Sequence, residues 1–378
     1  MSGHGDSLAR DFRPAVDHAR LVDRTHGGDV EHWAQSVGID AGEILDFSAS
    51  INPLRPPATA RKAFIESYDA ISRYPDAYGN KLKKTLATRH GMKPAEVLIG
   101  NGSTQLIYLI CAVLRPRKAL VLGPAFSEYS HALTLAGARI RTLFLPADSG
   151  FRFSMEDFMA GWETDCDVAF LATPNSVTGQ LIPKAGIEKI AHFALTRKTL
   201  VVADEAFIDF VEDQSVKRKV RHNPNFLVLR SLTKFYGIPG LRLGYLLGDA
   251  RRVEQLAVHQ EPWSVNGPAL NVALACLNDM RFITKTNRWL EGERQFLSEQ
   301  LTALKELHPL PSKTNFLLVR IDKRGSDALA LRAFLLRKKI LIRVCDSFGI
   351  GSAFFRVAVK RRQENRRLIA ALAEWLTP

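Results

Sequence analysis

The stretch Ser231-Leu-Thr-Lys-Phe-Tyr-Gly-Ile-Pro-Gly-Leu-Arg-Leu-Gly-Tyr245 sets a lysine beside a hydroxyl, a guanidinium and closely spaced glycines. Apolar neighbours disfavour the charged form of Lys234, and an aldehyde cofactor needs an amine that is part of the time unprotonated. Ser231 and Arg242 are placed to hold a phosphate, the arginine through its planar fork of donors. Together they suggest pyridoxal phosphate with Lys234 as the Schiff-base lysine. A single lysine of this kind is more often an ordinary loop residue, so the reading depends on the rest of the chain.

Upstream of this stretch, short apolar β-rich runs alternate with helical patterns. The runs are Glu96-Val-Leu-Ile99, Ala119-Leu-Val-Leu122, Val168-Ala-Phe-Leu171, Thr199-Leu-Val-Val202 and Phe226-Leu-Val-Leu229. They read as buried strands of a mostly parallel sheet, and 103–114 and 185–196 as helices between them, giving a doubly wound α/β domain. Beyond Pro268 the pattern changes to a long helical reach over 269–307, followed by Asn315-Phe-Leu-Leu-Val-Arg320, Ile340-Leu-Ile-Arg343, Phe354-Phe-Arg-Val-Ala-Val359 and a terminal helix. That is a smaller α+β domain. The expected division is an N-terminal arm over 1–60, a large domain over 61–268 and a small domain over 269–378.

The 378 residues are 46% hydrophobic and 24% charged, the composition of a globular chain with no low-complexity tract. No run approaches a membrane span and Met1-Ser-Gly-His-Gly-Asp lacks the apolar core of a signal peptide, so the cytoplasm is expected. Four widely spaced cysteines without a Cys-x-x-Cys pair argue against a zinc site or a disulfide framework. The net charge of +13 gathers in short clusters such as Lys217-Arg-Lys-Val-Arg221 and Lys360-Arg-Arg362. With no basic arm and no interleaved aromatics, no specific nucleic-acid partner is expected. The excess suits solvated surface or attraction of phosphorylated small molecules.

Ligands of an open parallel sheet sit at its strand ends, and three groups fall there. Gly100-Asn-Gly-Ser-Thr-Gln105 follows a strand and opens a helix, offering backbone N–H groups to an anion. Asp204 ends another strand, where a carboxylate pairs with a protonated ring nitrogen or merely caps locally. Phe126 in Gly123-Pro-Ala-Phe-Ser-Glu-Tyr129 either stacks on an aromatic ring or fills the core.

In order, the glycine loop, Phe126, Pro174-Asn-Ser-Val-Thr-Gly179, Asp204-Glu-Ala-Phe-Ile-Asp-Phe210 and Ser231–Tyr245 resemble fold type I pyridoxal-phosphate enzymes of the aminotransferase superfamily. The resemblance covers roughly 25–375. It is closest to the branch of histidinol-phosphate aminotransferases and threonine-phosphate decarboxylases. His26-Gly-Gly-Asp29, Leu45-Asp-Phe-Ser-Ala-Ser-Ile-Asn-Pro-Leu54, Arg73-Tyr-Pro-Asp76, Pro262-Trp-Ser-Val-Asn266 and Ile340-Leu-Ile-Arg343 are most similar to the decarboxylases.

The resemblance implies catalytic roles for Lys234, for Asp204 at the ring nitrogen and for Phe126 on the ring face. It implies a phosphate site of Gly102, Ser103, Thr104, Ser231 and Arg242, with Tyr74 reaching the neighbouring subunit's site in a homodimer. It places Arg356 on the substrate carboxylate, and Arg343, His26 and Asn52 around a substrate phosphate. Two positions depart from the pattern. Ser176 stands where the superfamily usually has an asparagine for the cofactor's phenolic oxygen, with Asn175 the wrong neighbour, and Ser50 stands where the decarboxylases have asparagine. The implied activity is decarboxylation of L-threonine O-3-phosphate for cobalamin biosynthesis. A histidinol-phosphate-type aminotransferase and a non-catalytic binding module remain as alternatives.

Overall fold

The computed structural model describes residues 26–162 and 165–377. The chain passes from a helix, Val30–Val37, through the two-residue strand β1 (Leu45–Asp46) and a helix, Ala58–Glu66, into a seven-stranded sheet. Its strands are β2 (Val97–Gly100), β3 (Lys118–Gly123), β4 (Arg139–Phe144), β5 (Val168–Ala172), β6 (Leu200–Asp204), β7 (Phe226–Ser231) and β8 (Gly244–Leu247). Their order is β2-β8-β7-β6-β5-β3-β4. Strands β7, β6, β5, β3 and β4 run parallel, while β8 is antiparallel to both its neighbours.

Successive residues of a strand point to opposite faces, and here each face has its own core. Ile99, Ala169, Leu171, Val201, Ala203 and Val228 belong to one apolar cluster; Leu98, Phe170, Val202, Leu227 and Leu229 belong to the other. Burial on both faces is why these runs are continuously apolar rather than alternating.

The helical reach expected over 269–307 is two helices, Gly267–Asn278 and Met280–Ala303. Asp279 separates them because its carboxylate accepts from Phe282 N, capping the second helix. Strands β9 (Leu307–Pro309), β10 (Phe316–Ile321), β12 (Arg343–Val344) and β13 (Phe354–Ala358) form an antiparallel sheet ordered β12-β13-β10-β9. The expected strand from Ile340 to Arg343 is divided. Its first part, β11 (Ile340–Leu341), pairs in parallel with β1, so that the chain's early segment is stitched to this later one. Phe47 N donates to Leu341 O and Ala358 N to Phe47 O, extending the stitch.

Candidate active site

The carboxyl ends of β6 and β7, the turn after β2 and the segment 48–51 meet the small sheet around a cavity of about 200 Å³. His26, Ser103, Thr104, Phe126, Ser176, Asp204, Lys234, Arg343 and Arg356 all line it. Residues far apart in sequence, such as Ser103 and Lys234, converge because strand ends of a parallel sheet open on one edge, and Arg343 joins them from the small sheet.

Lys234 follows β7 on a loop held from several sides. Asn52 N donates to Lys234 O at 3.0 Å, Ile238 N to Thr233 O at 3.1 Å and Leu232 N to Leu243 O at 3.1 Å. Gly237 turns the loop with φ +67°, and a Cβ there would stand 3.3 Å from Asn52 O. The Lys234 amine donates to Ser231 Oγ at 3.2 Å and lies 5.5 Å from the centre of the Phe207 ring. Desolvation, with the charges of Arg242 and Arg356 acting in the same sense and Asp204 opposing, lowers its pKa to about 8.

Asp204, at the end of β6, is 4% exposed. Its Oδ2 accepts from the Tyr129 hydroxyl at 2.5 Å and its Oδ1 from Ala206 N at 2.8 Å. Burial raises its pKa, while those two donors and the charge of Lys234 pull it back. Phe126 caps the helix Ser127–Leu135 and meets Tyr129 edge to face at 5.8 Å.

The helix Gly102–Leu114 begins against β8, and its first-turn N–H groups have no partners within the helix. The approach demands glycine twice. A Cβ on Gly244 would lie 2.4 Å from Ser103 N, and one on Gly102, where φ is +76°, 2.6 Å from Arg242 Nη2. Arg242, with φ +52°, thus sets its guanidinium against the opening of the helix, where the positive end of the peptide dipoles also lies. Gly102, Ser231 and Arg242 flank this cradle, with Ser103 and Thr104 facing the cavity.

The Gly-Gly pair after His26 has a steric reason: a Cβ on Gly27 would come within 2.3 Å of Ser48 O, and Gly28 N donates to Ser48 Oγ. His26 then lies 5.9 Å from Phe126, ring to ring, with Nε2 3.2 Å from Glu128 Oε1. Ser176 and Ser50 present buried hydroxyl oxygens that have no hydrogen-bond partner among the described residues, and both line the cavity. The Asn175 amide is occupied by Pro124 O, Val177 N and Thr178 N.

Of the expected residues, Asn52 does not line this cavity, and Tyr74, expected at the neighbouring subunit's site, stands apart from it. Asn52 is 3% exposed, and its side chain donates to Phe235 O and Thr286 Oγ1 and accepts from Leu54 N, so both amide N–H donors that an anionic ligand would need are taken. Its contacts put it behind the Lys234 loop. Tyr74 is 83% exposed and packs on Trp263 in a separate cleft of about 1070 Å³. Sequence reasoning missed Tyr129 and Phe348. Tyr129 lay inside a quoted motif, three residues after Phe126, whereas nothing local marks Phe348.

A desolvated amine, a buried carboxylate, an aromatic face and an anion cradle fit pyridoxal phosphate by the chemistry of each donor. Comparison with known proteins agrees. The model of the aminotransferase class I and II family matches residues 42–372. Threonine-phosphate decarboxylase of Salmonella typhimurium is 37% identical over 94% of this chain and 98% of its own length. Histidinol-phosphate aminotransferase 2 of Archaeoglobus fulgidus is 32% identical over 88% of this chain and 93% of its own. Among solved structures, L-threonine-O-3-phosphate decarboxylase from Porphyromonas gingivalis superposes with a TM-score of 0.78 at 25% identity, covering 88% of this chain and 99% of that one. This chain belongs to the aminotransferase class I and II family, has the fold type I architecture of that family, and uses pyridoxal 5'-phosphate as its cofactor.

Proposed function

We propose that this chain decarboxylates L-threonine O-3-phosphate, releasing carbon dioxide and (R)-1-aminopropan-2-yl phosphate for cobalamin biosynthesis. The observation that carries the reading is the meeting in one cavity of Lys234 and Asp204, from the large sheet, with Arg343 and Arg356, from the small one. That arrangement suits a substrate with an amine and two anionic groups. The relatives named above supply the reaction.

Bound pyridoxal phosphate supplies an aldehyde that takes up an amino group and a ring that withdraws electrons from the carbon bearing it. Asp204 supports that withdrawal by keeping a negative charge for the ring nitrogen, and Phe126 takes the ring face. Gly102, Ser103, Thr104, Ser231 and Arg242 would hold the cofactor phosphate, and Ser176, whose buried hydroxyl has no partner among the described residues, would donate to the phenolic oxygen. Lys234, with its lowered pKa, carries or gives up a proton at Nζ near neutrality. Arg356 takes the α-carboxylate, while Arg343 and His26 take the phosphate. Two-point anchoring fixes which bond to the α-carbon is turned out for cleavage.

The active unit in this proposal is a homodimer, with Tyr74 completing the partner's site. Ile71, Tyr74 and Trp263 are exposed apolar groups on one cleft, the kind of surface that marks an interface. We divide the chain into an arm (1–60), a cofactor-binding domain (61–268) and a small domain (269–378). Among the described residues no helix is long and apolar enough to cross a membrane.

The test is to incubate cofactor-loaded protein with L-threonine O-3-phosphate in the absence of any keto acid, following carbon dioxide and the amine by mass spectrometry. Stoichiometric release over many turnovers is expected. Activity that appears only with histidinol phosphate and 2-oxoglutarate would instead assign an aminotransferase.

A further inference from the structure

Arg343 and Arg356 stand directly opposite each other across the antiparallel β12–β13 pair. Side chains of such a pair leave the same face of the sheet with Cβ atoms about 5 Å apart, and like charges so placed repel. Burial first, and then the charge of Arg343, draw the Arg356 guanidinium down to about 10, with Cys345 opposing. A fold that keeps two adjacent cations facing one cavity has to brace them.

One turn supplies part of that bracing. In Asp346–Phe348, Ser347 Oγ accepts from Arg343 Nη2 at 2.7 Å. The Phe348 ring lies 4.8 Å from the Arg343 guanidinium carbon and 5.9 Å from that of Arg356. Phe316 meets Arg356 at 4.6 Å, and Ser176 O accepts from its Nη1. Gly349 closes the turn with φ +75°, packed so that a Cβ would lie 2.9 Å from the Phe144 ring. The Phe348 ring thus stands near both guanidinium groups, and it lines the cavity beside them. Rings hold guanidinium groups by their faces, leaving the N–H edges for an anion.

We propose that Phe348 is a specificity-determining residue: its ring fixes the separation of the two guanidinium groups, so the cavity selects ligands by the distance between two anionic groups. The inference deepens the proposed function and rests on it for identifying those groups as carboxylate and phosphate.

The test compares the cofactor-loaded wild type with Phe348→Ala and with Phe348→Leu, which keeps bulk but loses the ring face. Phosphonoacetate, 3-phosphonopropionate and 4-phosphonobutyrate differ by single methylenes, carry no amine to react, and are titrated by calorimetry. In parallel, kcat/KM is measured for the O-phospho derivatives of L-serine, L-threonine and L-homoserine. The wild type should favour one spacing over the next by about tenfold, and Phe348→Ala should compress that ratio to about twofold, with Phe348→Leu between them. Cofactor absorbance and Tm should stay unchanged in the leucine variant. Both variants keeping the wild-type ratio, however weak their overall binding, would overturn the proposal, as would a wild type indifferent to spacing. A wild type that discriminates by spacing among the phosphonates yet leaves O-phospho-L-threonine unchanged would remove the proposed reaction and leave the role of Phe348 standing.

Discussion

Tyr129 donates its hydroxyl to Oδ2 of Asp204 at 2.5 Å, with both groups buried beneath the cavity. The bond is one of the influences that oppose the upward push of burial on the carboxyl. Removing it moves Asp204 further up and weakens the negative charge held for the cofactor ring. The lost hydrogen bond to a charged group, worth about 1.5–3 kcal/mol, should therefore lower kcat by about tenfold or more in Tyr129→Phe. It should also shift the pH dependence of the bound cofactor's absorbance. A variant with unchanged absorbance titration and unchanged kcat would remove Tyr129 from this role.

Lys234 gives a prediction with a definite sign. Its pKa of about 8, against an ordinary 10.5, leaves about one amine in ten neutral at pH 7, where an ordinary lysine would have about one in three thousand. The rate at which apoprotein takes up pyridoxal phosphate should rise steeply to about pH 8 and then level off. Because the unfolded chain binds this proton more tightly, the same group makes apoprotein stability increase with pH between about 8 and 10.5. Stopped-flow absorbance over pH 6 to 10 reads the first effect. A rate still climbing at pH 10 contradicts the lowered value.

The parallel strands and many of the residues that line the cavity were legible in the sequence because each announces itself locally. A run buried on both faces is continuously apolar, and a strand end followed by Gly or Asp marks an open sheet edge. Strand β4 was not legible: Arg139-Ile-Arg-Thr-Leu-Phe144 lies at the sheet edge with most of its side chains exposed, so charge masks it. Strand β8 begins inside the Lys234 motif, and nothing local there shows that Gly244 makes room for the approach of Ser103. Asn52 sat in a convincing motif, yet its direction is set by Phe235 and Thr286, 183 and 234 residues away. Phe348 depends on β12 and β13 lying side by side, which no local pattern encodes.

Gly244 tests the closeness of β8 to the cofactor cradle. A Cβ there meets only backbone: Ser103 N at 2.4 Å, Gly102 C at 2.8 Å and Arg230 O at 2.9 Å, none of which swings aside. Gly244→Ala should destabilise the protein by about 1–3 kcal/mol, the usual cost of overpacking, and weaken pyridoxal phosphate binding by pushing the helix opening away. Gly240→Ala is the control, since nothing lies within 4 Å of its Cβ position. Chemical denaturation and cofactor titration of the two variants should separate clearly; equal behaviour would mean that the cradle tolerates displacement.

Asn52 decides between two kinds of role for the early segment. Its backbone N–H holds Lys234 O and its amide holds Phe235 O and Thr286 Oγ1, so the side chain secures the loop that presents the Lys234 amine to the cavity. Asn52→Ala strips those buried acceptors of a donor, at a cost of about 1–3 kcal/mol for each group left unpaired. The segment's backbone contact to Lys234 survives, so the cofactor still attaches, but the amine is less well aimed. The expected signature is a fall in kcat with little change in KM for the phosphorylated substrate. A residue gripping the substrate phosphate would show the reverse, a large rise in KM that disappears with an unphosphorylated amino acid. Steady-state kinetics with L-threonine O-3-phosphate and L-threonine separates the two, and the second pattern would return Asn52 to the substrate side of the cavity.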